Sequence, residues 1–157
     1  MARISTGTRN LIAVALRSGF TKGVLRFYSG AMPSSPNSAE TGVLLAEITV
    51  DGLPFTPGNN ANGLDFDLIT DDPVTLKSYL AKHASQNWQG VGLASGVIGY
   101  GRLYTNAMVT GDSAVAPRID GVASSLGDAD FTVTSSRVVV GVPVVVSAMK
   151  LVINGRK

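Results

Sequence analysis

At 157 residues and 16.2 kDa the chain has the length of one domain, enough to bury roughly two thirds of its unfolded surface without covalent staples. It contains no cysteine, which excludes disulfides, thiolate metal sites and cysteine nucleophiles and makes an oxidising compartment unnecessary. Only 15% of its residues are charged, against roughly 25% in an average soluble domain, which suits a surface that spends its life against other protein.

The net charge of +2 hides a segregation: Arg3, Arg9, Arg17, Lys22 and Arg26 all precede the first acid, Glu40. Residues 40–76 then carry Glu40, Glu47, Asp51, Asp65, Asp67, Asp71 and Asp72 with no base. The early bases are sparse and have no aromatic residue among them before Phe20, so nucleic acid is not an expected partner. Nor is a membrane, because the apolar run Leu11–Leu16 falls far short of the roughly 20 residues that span a bilayer.

The first predicted element is a helix over Thr8–Ser18, with Leu11, Ala15 and Ser18 on one stripe, Ile12 and Leu16 beside it, and Gly19 where a C-terminal cap would stand. Eleven or so residues cannot hold a helix alone, so this segment must dock, either on its own sheet or on a partner. Residues 1–22 are read as an N-terminal arm anchored by Arg3, Arg9 and Arg17, and residues 23–157 as a β domain.

After Gly23 the pattern switches to period two. Leu25 and Phe27 alternate with Val24, Arg26 and Tyr28; Leu44, Ala46, Ile48 and Val50 with Leu45, Glu47 and Thr49; Leu64, Phe66 and Leu68 with Asp65 and Asp67. Each set predicts one buried face and one solvent face. Further strands are expected over Val74–Lys82, Ser95–Tyr104, Ala116–Ser124, Phe131–Val140 and Pro143–Asn154, the first of these also fitting helical spacing. In the apolar run Val138–Val146, Pro143 predicts two strands meeting at a bend, or a protected edge. Eight strands separated by Gly, Pro, Asn and Asp turns describe an all-β antiparallel sandwich, immunoglobulin-like or jelly-roll, behind a short helical arm.

Residues that could carry chemistry are few. His83 is the single histidine, so any histidine base must be this one, and its place beside a strand end reads as surface or interface. Ser113 lies in a Gly-Asp-Ser turn, and no Gly-x-Ser-x-Gly elbow occurs. Asp65 and Asp67, followed by Asp71 and Asp72, have a spacing that can hold calcium, but they alternate with apolar residues as a solvent face would, and Asp128 and Asp130 read the same way. The glycines of Gly90–Gly96 precede strand-like sequence and lack a lysine, so they mark bulges or close backbone approach, not a phosphate cradle. Trp88, Tyr100 and Tyr104 could form a sugar platform or pack in a core. No catalytic residue, metal or cofactor is expected.

Four ordered blocks carry a resemblance. Ser5-Thr-Gly-Thr-Arg-Asn-Leu11, the stretch Gly23-Val-Leu-Arg-Phe-Tyr-Ser-Gly30 with its Pro/Ser loop and Thr41-Gly-Val-Leu-Leu45, Trp88-Gln-Gly-Val-Gly-Leu-Ala-Ser-Gly96 leading to Gly101-Arg-Leu-Tyr104, and Arg118-Ile-Asp-Gly121 together resemble small all-β virion proteins of tailed bacteriophages. The resemblance implies a non-enzymatic head decoration or cement protein, made in the host cytoplasm and resident in the virion, whose partners are the major capsid protein and further copies of itself. A tail or baseplate component and a carbohydrate-binding receptor module are the alternatives. Under this reading Arg3, Arg9 and Arg17 anchor the arm, and Phe27, Tyr28 and Trp88 serve as packing or contact residues.

Overall fold

The computed structural model describes residues 4–69, 77–127 and 129–154. The one helix among the described residues, α1 (Thr6–Phe20), starts one half-turn earlier than its apolar stripe predicts because Ser5 caps it, its hydroxyl accepting from the Thr8 N–H at 3.1 Å. It also runs past Gly19. The chain leaves the helix at Thr21, whose N–H bonds to the Arg17 carbonyl, and Lys22 takes the left-handed conformation that glycine would favour.

The strands are β1 (Val24–Ser29), β2 (Leu44–Val50), β3 (Phe66–Ile69), β4 (Lys77–Lys82), β5 (Trp88–Val91), β6 (Gly96–Tyr104), β7 (Arg118–Gly121), β8 (Ala123–Ser124), β9 (Phe131–Val133), β10 (Arg137–Val138) and β11 (Pro143–Asn154). The all-β expectation with one short helix therefore holds. The expected strand over Val74–Lys82 is seen from Lys77 onward, its first part lying outside the described residues. Two expected strands are each divided. At Val122 the Asp130 carboxylate accepts the backbone N–H at 2.9 Å and ends β7, while residues 134–136 separate β9 from β10. The strand β5 was not expected.

Followed along its ladders, the sheet runs from β1 to β2, β5, β11, β9 and β8; β8 continues the chain from β7 across Val122, and β7 pairs with β6, which pairs again with β1. The sheet curls round and meets itself. All ladders among the described residues are antiparallel except β8 with β9. The long strand β11 serves two places: Pro143–Val146 lies against β5, while Lys150–Asn154 pairs with β4, which carries β3 outside it. Pro143 stands at the first position of its strand, where a missing N–H costs least. On β3 and β4 rests α1, with Asn10 accepting from the Ser78 hydroxyl at 2.7 Å, so the helix docks on the chain's own sheet.

The enclosed core gathers Leu25, Phe27, Ile48, Leu80, Trp88, Leu103, Phe131 and Val146. Phe27 meets Phe131 edge to face at 6.2 Å, and Phe66 meets Trp88 in the same way at 5.4 Å. Glycines make room for Phe131: a Cβ at Gly101 would stand 2.8 Å from its ring, and one at Gly121 would stand 2.7 Å away. The expectation of a single buried face fails for β1, and β6 beside it is covered on both sides as well. Val24, Leu25, Phe27 and Tyr28 are all buried, as is every residue from Tyr100 to Tyr104, because both faces of these strands are covered.

Candidate functional site

What covers the outer face of β1 and β6 is a pair of loops, residues 30–43 and 105–117, held down by a polar network. Strand register lays four charged residues in one row across β2, β1, β6 and β7: Glu47, Arg26, Arg102 and Asp120. Two arginines side by side would repel, so a carboxylate closes each end of the row. Arg26 bonds to Glu47 at 2.6 and 2.8 Å; Arg102, with no exposed surface, forms a two-pronged pair with Asp120 at 2.6 and 2.8 Å.

The loops bind to this row. Arg102 donates to the Ser38 carbonyl at 2.8 Å and to Glu40 at 3.2 Å, and Glu40 also accepts from the Tyr104 hydroxyl at 2.6 Å and the Gly111 N–H at 3.0 Å. Tyr28 bonds to Tyr104 at 3.0 Å and stacks on Tyr100, whose hydroxyl bridges the Thr41 N–H and carbonyl. Asp112 accepts from the Ala39 N–H, and Arg118 donates to the Gly111 carbonyl at 2.6 Å.

Burial alone would push the Glu40 carboxyl up. The hydrogen bonds from Tyr104 and Gly111 and the charge of Arg102 outweigh it and hold Glu40 below the usual carboxylate range. Burial, then the bonds to Glu40 and Tyr28, raises the Tyr104 hydroxyl well above the ordinary phenol range, so it stays a neutral donor. Against the cost of burial, Asp120 keeps Arg102 firmly protonated. Arg118 Nε and Nη2 are buried without a hydrogen-bond partner among the described residues; the other charges face one another and strap two loops to the sheet.

A second cluster has the residue types of a hydrolase triad. Ser85 Oγ lies 3.0 Å from His83 Nδ1, and His83 Nε2 lies 3.6 Å from Asp67 Oδ1. Acyl transfer also needs a cleft at the nucleophile and N–H donors aimed at the oxyanion. Ser85 is exposed on the turn after β4, and Asp67 is already engaged with the Ala84 N–H at 2.8 Å, so the cluster closes a turn. Asp65 is likewise committed, to Lys22 at 2.5 Å and to Gln86 at 3.0 Å. No group of three or more potential metal ligands occurs among the described residues.

One end of the curled sheet is different. Residues 43–45, 91–97 and 137–143 meet there: the Leu93 N–H bonds to the Leu45 carbonyl, the Gly92 N–H to Val142, the Gly141 N–H to Gly92, and the Val140 N–H to the Ser95 hydroxyl. Val43, Val91, Leu93, Val97, Val139, Val140 and Val142 are each about half exposed. Arg137 is the sole charged residue in these three segments. Beside the rim runs a groove of about 380 Å³ between Leu44, Leu53, Pro54, Val91 and Leu93, with the Arg26–Glu47 pair along it. A contiguous apolar, charge-depleted rim has the character of the centre of a protein interface.

The residues singled out from sequence lie elsewhere. Arg3 is outside the described residues. Arg9 is buried beneath the helix start, donating to the Thr6 hydroxyl at 2.9 Å, and Arg17 is half-buried near the helix end. Phe27, Tyr28 and Trp88 are core packing, the Trp88 indole donating to Gln86 at 3.0 Å. Trp88, Tyr100 and Tyr104 show no face to solvent on which a sugar could stack. The rim was missed as a site, although its most legible part, the valine run from Val138, stands out in the sequence. No described helix is long and apolar enough to cross a membrane. Neither models of known families, nor curated proteins, nor solved structures give a match to this chain.

Proposed function

We propose that this chain is a non-enzymatic structural protein of a tailed-bacteriophage virion, a capsid decoration or cement protein that works by surface contact. The observation that carries the contact role is the apolar rim at residues 43–45, 91–97 and 137–143, whose sole charged residue is Arg137. The virion setting rests on the four ordered sequence blocks. The partners are the major capsid protein and further copies of this chain, with no cofactor and no direct contact to nucleic acid or membrane. The fold in this reading is a flattened sandwich, immunoglobulin-like or jelly-roll. Its support is the packing of Phe27 from β1 on Phe131 from β9 across the curled sheet.

The mechanism is area. Interfaces on the order of 1,000 Å² or more, repeated over a shell, resist outward pressure from packaged DNA without any reacting group. The test is to add purified protein to tailless capsids and count bound copies. Saturation at hundreds per particle supports a shell protein. Binding only to tailed particles, in small numbers, makes it a tail component, and no binding to either overturns the virion reading.

A further inference from the structure

We infer that the rim is the surface through which two copies of this chain associate, like against like across a twofold axis. This deepens the contact role proposed above by naming the occupant. Val43, Leu93, Val97, Val139, Val140 and Val142 each leave about half of their surface in water on one end of the sheet. With Val91 and Leu53 beside them they make an apolar area on the order of 600 Å², at the upper limit of what a monomer exposes and close to the ~800 Å² per partner of a stable interface.

Charge selects the occupant. A foreign protein is usually chosen and aligned by complementary charges around the contact. The three rim segments offer one, Arg137, and the adjoining groove adds only Arg26 and Glu47, which are already paired with each other. A twofold contact asks only that a patch suit itself, and an apolar patch without acids and with a single base does so without like-charge repulsion across its centre. The rest of the surface is less suited: on α1 the exposed apolar residues Leu11, Ile12 and Val14 form a narrower stripe, bounded by Arg17.

The experiment is sedimentation velocity on the full chain at concentrations up to about 100 μM, well above the micromolar Kd expected of a modest interface. The expected result is a dimer. Leu93→Glu or Val97→Glu, each burying an unpaired charge at the contact, weakens it by ~100-fold or more and leaves monomer. Val97→Ser, a smaller change at an exposed site, weakens it by about tenfold or less. Val115→Glu, at a loop position that is 91% exposed, leaves the dimer intact. Unchanged circular dichroism in each variant shows that folding is not the cause.

A wild-type chain that stays monomeric throughout, or a Leu93→Glu chain that dimerises as the wild type does, overturns the inference. Capsid binding separates this failure from that of the virion reading. A monomer whose rim variants lose capsid binding overturns self-association and leaves the virion reading standing. A rim-dependent dimer that binds no capsid supports self-association and counts against the virion reading.

Discussion

Two regions of this molecule treat their surfaces in opposite ways. On the outer face of β1 and β6, a row of four charged residues runs under two loops, with Arg102 wholly buried, and most donors and acceptors there find partners inside the chain, Arg118 Nε and Nη2 excepted. At the rim, valines and leucines stand half in water with no described residue laid over them. The chain thus spends its polar chemistry on holding itself together and leaves its apolar surface outward.

The contrast breaks most sharply at Arg102. Arg102→Met leaves Asp120 a buried carboxylate without its partner and is expected to cost about 3–5 kcal/mol in urea unfolding, whereas the double change Arg102→Met with Asp120→Leu recovers much of that loss. An intact Tm in the single variant would mean that the row is not structural. Next in size is the interior between the two regions: Gly101→Ala pushes a methyl into the Phe131 and Phe27 rings and should cost about 1–3 kcal/mol, partly relieved by Phe131→Leu.

The strap can also be loosened by acid. Because the folded chain holds Glu40 below the ordinary carboxylate range, its contribution is complete above the unfolded value of about 4.3 and disappears as pH falls through the depressed folded one. Thermal melts should therefore show stability declining below about pH 4, and Glu40→Gln should be less stable at neutral pH yet decline less steeply in acid. The smallest effect on folding belongs to the rim. Val97→Glu should change stability by less than about 0.5 kcal/mol while it abolishes association, the inverse of what Arg102→Met does.

The contrast was only half legible in the sequence. Alternation located β1 and β2, but it could not distinguish water from a loop bearing Glu40, so Arg26 and Tyr28 read as a wet face. Long-range pairing decided the rest. β5 is four residues long and interrupted by Gly90, and it is a strand because β2 and β11 hold it on either side. Ser5 was a readable cap that lay outside the apolar stripe. At the rim, the Val138–Val146 run announced itself, but its junction with Gly90–Gly96 comes from hydrogen bonds between segments more than forty residues apart. Arg9, Phe27, Tyr28 and Trp88 were chosen for residue type, and the same types that make good contacts also make good cores, which is where they lie.

The most direct test of the central claim, that the rim is the contact surface and the strapped face is not, is amide hydrogen exchange on the protein when dilute and when assembled. The account predicts that residues 91–97 and 137–143 gain protection on assembly while residues 33–38 and 111–116 exchange as before. Protection that appears in the strapped loops and leaves the rim unchanged would contradict it.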